Sequence, residues 1–219
     1  MDWMSFLPPV ITTLIGFVSG WGLSELTEWR RHRRDQRELR RALVAELENG
    51  EVLASVTLGK YARCFRSNAA DVALVAKEIR WFVTVGRNRM DAAGILSDLP
   101  PTPTAFEVLT DQQLVDLFSQ ISETIGVRLI FPIVENALAG KTSGFNEKEI
   151  AALGMVSWHA HLLSQNADQM TELLRMSFTV TDDENHPRII ENHDRQSEWY
   201  ARRSIVLLRV IRKALELLR

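Results

Sequence analysis

Cysteine is nearly absent from this chain: Cys64 is the only one in 219 residues. No disulfide can form within one molecule and no cysteine-based zinc site can be assembled, which suits a reducing compartment. Several chemical signatures are missing too. There is no Walker A loop, no GxGxxG after a strand, no HExxH and no GxSxG elbow, so nucleotide hydrolysis, dinucleotide chemistry, zinc proteolysis and hydrolase-elbow chemistry have no support. No segment alternates apolar and polar residues over a useful length, and no repeat of 20–50 residues recurs. No motif calls for a cofactor or a structural metal.

Charge is the next absence. Between Trp3 and Ser24 there is no ionisable side chain, a run of 22 residues. A helix of that length is about 33 Å long, close to the hydrocarbon thickness of a bilayer. Pro8 and Pro9 confine the regular helix to Pro9–Ser24, about 24 Å, which spans with help from interfacial Trp3 and Trp29. Arginines follow the run rather than precede it, the reverse of a cleaved signal peptide. Residues 1–28 therefore read as a single transmembrane anchor.

Positive charge is concentrated in one place. Residues 30–41 hold seven arginines against Asp35 and Glu38, a local charge of +5. From Ala42 onward 19 Lys and Arg face 23 Asp and Glu, a charge of −4. That acidic body is a poor surface for nucleic acid, which needs spread cationic charge. Arg30, Arg31, Arg33 and Arg34 directly after the span place the N-terminus outside and the large C-terminal part in the cytoplasm. They also predict contact with anionic lipid head groups, at about 1 kcal/mol per arginine. A bacterial inner membrane is the expected location. Within the span, Gly16 and Gly20 form a GxxxG pattern that lets a second helix backbone approach, which predicts self-association.

Helical periodicity dominates what remains. Leu39, Leu43, Leu47, Gly50, Ala54 and Leu58 recur at three- or four-residue spacing, predicting an amphipathic stalk over residues 29–65. A bundle of about four helices is predicted over 66–219. The first runs from Asn68 to Val85. Ser97–Pro103 is a proline-dense loop. Thr110-Asp111-Gln112-Gln113 is a capping box opening a helix that continues to Gly140. Asn146-Glu147-Lys148-Glu149 opens another to Phe178, and Pro187 begins the last. That last helix carries a heptad-like seam at Leu208, Ile211, Leu215 and Leu218, a coiled-coil signal. Trp81, Trp158 and Trp199 are assigned to the bundle core. The expected fold is all-α: an anchor, a stalk and a cytoplasmic helical bundle.

Candidate chemistry is sparse. His159 and His161 are two residues apart, about 200° around a helix, so they cannot share a metal and read as structural. The segment Asp182–Asp194 is rich in carboxylates and carries His186 and His193. It reads either as a carboxylate–histidine metal site or as a polar loop whose acids favour the N-terminus of the next helix. Arg188 and His193 form an R-x4-H pair that resembles the active-site signature of the HEPN ribonucleases, all-helical domains that act as dimers. The resemblance implies metal-independent RNA cleavage, with His193 as acid or base and Arg188 stabilising phosphate charge. The residues themselves favour a non-enzymatic reading: a self-associating membrane protein serving as scaffold, signalling adaptor or oligomeric membrane-perturbing or pore effector. Its expected partners are membrane lipids, further copies of itself and a cytoplasmic protein.

Overall fold

The computed structural model describes residues 7–65, 68–86, 106, 108–120, 128–140, 144–179 and 185–219, with side chains from Ser24 onward except at 85–86. Among these residues there are six α-helices and no strand. They are α1 (Leu7–Lys60), α2 (Ala69–Trp81), α3 (Asp111–Ser119), α4 (Pro132–Ala139), α5 (Glu147–Thr179) and α6 (Asn185–Leu218). A short 3-10 turn, Ala62–Phe65, follows α1, and a π-helical turn, Phe82–Gly86, follows α2. The fold is all-α.

Two compact units divide the chain, Met1–Ala42 and Leu43–Arg219. In the first, α1 is solvated: every residue from Ser24 to Asp35 is exposed. Among the described residues no helix is long and apolar enough to cross a membrane. The uncharged run Trp3–Ser24 falls almost wholly outside the described side chains; of Leu7–Leu23 only the helical backbone is described. Gly16 and Gly20 lie in that part.

The second unit takes in Leu43–Lys60 of the stretch read as stalk. Leu43, Leu47, Gly50, Ala54 and Leu58 are all buried, so the apolar face seen in the sequence is core. Burial of each leucine contributes about 1.5–3 kcal/mol. α5 and α6 pack along one another as the longest helix pair of this unit. The seam Leu208, Ile211, Leu215 and Leu218 is buried within this chain's own bundle.

Helix starts follow local chemistry. Asn68 caps α2 by accepting from Ala70 N–H at 3.0 Å. Thr110 and Gln113 make the reciprocal capping box of α3, at 3.2 and 2.9 Å. Asn146 and Glu149 do the same for α5, at 3.0 and 2.8 Å. Each box satisfies two amides that the first turn leaves without partners. Pro187 sits third in α6, which begins at Asn185; the first turn tolerates it because its amide would have no intrahelical acceptor.

One expected helix is not continuous. The predicted run from Thr110 to Gly140 is instead α3 and α4, with Arg128–Phe131 non-helical between them. Pro132 explains the break, since proline starts a helix but cannot continue one. The new start is held from outside. The Glu46 carboxylate of α1 accepts from Ile133 N–H and Val134 N–H, both at 2.8 Å. Beside it the Phe131 ring lies against Gly50, where an added Cβ would sit 2.2 Å from Phe131 Cε1. The glycine in mid-helix is there because an aromatic ring occupies its side-chain space.

The loop Ser97–Pro103 lies outside the described residues. The tryptophans depart from expectation: Trp158 and Trp199 are 57% and 52% exposed, and Trp81 is half-buried. Neither Trp158 nor Trp199 packs the core, because the inner faces of α5 and α6 are filled by smaller residues such as Val156, Leu163, Ala201 and Ser204.

Gly50→Ala separates helix propensity from packing. Alanine gains about 1 kcal/mol of propensity in a helix interior, yet its Cβ collides with a ring that is 2% exposed. Overpacking of this kind costs about 1–3 kcal/mol. Denaturant titration should show Gly50→Ala less stable than wild type, and Phe131→Leu should lessen the penalty. An alanine variant more stable than wild type would contradict the wedge.

Candidate functional site

The α5–α6 pair carries an open face. Asn166 of α5 donates to Gln196 of α6. One turn along, Leu162 and Trp199 line the same groove. A further turn brings His159 close enough to Arg203 for the guanidinium charge to act on it. Met155 and Trp158 continue the Leu162 side of α5 at helical spacing, and Arg203 and Val206 continue the Trp199 side of α6. Met155, Trp158, Trp199 and Val206 are exposed. Arg203 stacks on the Trp199 ring at 3.7 Å, a cation–π contact that covers one side of the indole.

The groove is lined by amides. One part, about 410 Å³, is bounded by Leu162, Gln165, Asn166, Gln169, Arg195 and Trp199, with Gln196. A second part, about 570 Å³, shares Gln169, Arg195 and Gln196 and adds Glu172, Leu173 and Asn192. Gln165 is held by His161 at 3.0 Å, and Arg195 pairs with Glu191 at 2.5 Å on its own helix. Arg195 and Glu172 leave the groove without net charge. Its chemistry is that of hydrogen bonding and apolar contact; no nucleophile and base approach each other in its lining.

Burial lowers the His159 pKa, and the Arg203 charge lowers it further. Burial also lowers that of Arg203. The two effects on His159 disfavour a second positive charge beside Arg203.

The residues singled out in the sequence are dispersed. Arg30, Arg31, Arg33 and Arg34 are all exposed on α1. Arg33 stacks on Trp29 at 4.3 Å and Arg34 pairs with Glu38 at 3.6 Å. Arg188 faces solvent, whereas His193 is buried, with its Nδ1 4.0 Å from Asp194 Oδ1. Five helical residues turn about 140°, which separates the two side chains by direction. One chain does not bring the R-x4-H pair together. Among the described residues no group of three His, Cys, Asp or Glu side chains is placed to hold a metal ion, and Asp182–Glu184 lie outside them. Cys64 is half-buried, and burial raises its pKa above the ordinary thiol value.

No known protein family, curated protein or solved structure matches the chain. Sequence reasoning missed the α5–α6 face entirely. Its available signal was the pairing of Trp158 and Trp199 with long polar side chains at helical spacing.

The depressed His159 pKa has a definite sign. The unfolded chain, with histidine near pKa 6.5, binds the proton more readily than the folded one, so acidification through that value favours unfolding. The melting temperature should fall between pH 7.5 and 5, and less so in His159→Asn. Equal pH dependence in both proteins would remove His159 from the account.

Proposed function

We propose that this protein is a membrane-anchored scaffold that associates with copies of itself and carries a helical body on the cytoplasmic side. The observation that supports it is the uncharged run Trp3–Ser24, followed in sequence by Arg30, Arg31, Arg33 and Arg34, with Leu7–Ser24 and the four arginines on one continuous helix. An apolar run of that length followed by exposed arginines is what a single-pass anchor with a cytoplasmic C-terminal part requires. The arginines then meet anionic head groups as the helix leaves the bilayer. Gly16 and Gly20 supply a close-approach face for a second span. The amide-lined groove of α5–α6, where Arg195 and Glu172 offset each other, gives the body a surface suited to a protein partner rather than to RNA, whose phosphates demand cationic charge. A scaffolding or adaptor role follows more directly from these features than catalysis by Arg188 and His193, which point in different directions.

Fractionation tests the anchor. A variant lacking residues 1–28 should move from the membrane pellet to the supernatant, since the second unit has its own core. Retention in the pellet after a high-salt wash would reject the assignment.

Association through the span has its own test. Gly16→Ile with Gly20→Ile should reduce the oligomer mass in detergent by holding the helix backbones apart. An unchanged mass would place the association elsewhere on the chain.

A further inference from the structure

The solvated part of α1 has two faces of opposite charge. Taking Arg30 as reference and about 100° per residue, Arg34, Arg37 and Arg41 fall within about 40° of it. Glu25, Glu28 and Asp35 fall about 140–160° away, on the far side. All seven side chains are exposed. An arginine stripe therefore runs along one side of the helix and an acidic stripe along the other, at overlapping heights. Two parallel copies side by side would set Arg30 of one near Glu28 of the next, and Asp35 between Arg34 and Arg37.

We propose that these stripes are complementary halves of one interface between copies of this chain, arginine face against acidic face. This rests on the self-association proposed above and names the surface that directs it. Because the two faces differ, the contact is head-to-tail: each copy keeps one face unused after pairing, so association continues into a row or ring rather than stopping at a dimer. A lipid surface fits the full stripe less well. From Arg30 to Arg41 the helix rises about 16 Å, whereas the head-group layer on each side of a bilayer is about 5–8 Å thick. On a helix that leaves the membrane upright, Arg37 and Arg41 lie beyond it. Arg31, about 60° beyond Arg34, lies off the stripe and keeps to head groups, which Arg30 and Arg34 meet only on a copy whose arginine face is unpaired.

The test uses the full chain in mild detergent at about 0.1 M salt, where screening acts over about 10 Å, with mass read by light scattering. One variant carries Arg30→Gln, Arg34→Gln and Arg37→Gln; the other carries Glu25→Gln, Glu28→Gln and Asp35→Asn. Wild type should exceed a dimer, and each variant alone should associate about tenfold more weakly, as expected for the loss of three exposed ion pairs. An equimolar mixture should form a heterodimer and stop there, since each variant brings one intact face. Variants that keep the wild-type mass would overturn the charged interface while leaving association through the span intact. A monomeric wild type would overturn both. If the arginine variant keeps its mass but loses binding to phosphatidylglycerol vesicles relative to phosphatidylcholine, the stripe serves lipid and the proposal fails.

Discussion

Arg212 sits where three helices of the second unit meet. Its Nε lies 2.7 Å from Glu51 Oε1 on α1, and its Nη2 lies 2.7 Å from Glu78 Oε2 on α2. Both glutamates are 5% exposed, and the guanidinium plane covers the Trp81 ring at 4.5 Å. Two buried carboxylates with one guanidinium between them are stable only as a set, because desolvating an unpaired charge costs several kcal/mol. Apolar packing is tolerant of small rotations, whereas this arrangement is satisfied at one register of α1, α2 and α6. Tyr61 against Tyr200 at 5.1 Å and Arg202 with Asp71 at 3.1 Å continue the same registration between neighbouring segments.

A second device acts on α4. Eight residues of helix are marginal alone, and this one is started by a carboxylate from a different helix. Glu46 places its charge at the positive end of the α4 dipole while accepting two of its first amides. The Phe131 ring, inserted over Gly50, fixes the approach. Together they convert a weak local sequence into a placed element of the bundle.

The sequence was readable where structure is set by neighbours along the chain. Capping at Thr110 and Asn146, the stop at Gly140 and the apolar face from Leu43 to Leu58 depend on residues within a turn or two, and each is where periodicity predicts it. What depended on distant partners was not readable. The break before Pro132 has its cause in a proline, but the helix that follows is held by Glu46, more than eighty residues earlier. Arg212 looks in the sequence like a flank of a leucine seam, and its half-buried position is decided by Glu51 and Glu78. Trp158 and Trp199 carry the most apolar area on their helices yet face outward, since hydrophobicity alone does not say which side of a helix another element covers. Arg188 and His193 illustrate the converse: a spacing can match a signature while the helix turns its two members apart.

The pairings of α1 with α6 span nearly the whole length of the second unit. Glu51 and Arg212 are separated by 161 positions, and Glu48 and Arg219 by 171. Contacts so far apart close large loops, whose entropy must be met before the contact stabilises anything. The helical hairpin of α5 and α6 has no such obstacle and can assemble locally. Folding of this unit should therefore be ordered, with the hairpin early and the docking of α1 late, and slower than for a bundle of the same size whose neighbours in space are neighbours in sequence. Until α1 docks, apolar residues that are buried in the finished unit, Leu43, Leu47 and Leu58 among them, have yet to be covered. In that interval the chain presents apolar surface to whatever else is nearby, and the kinetics of closing one distant pair decide how long aggregation can compete.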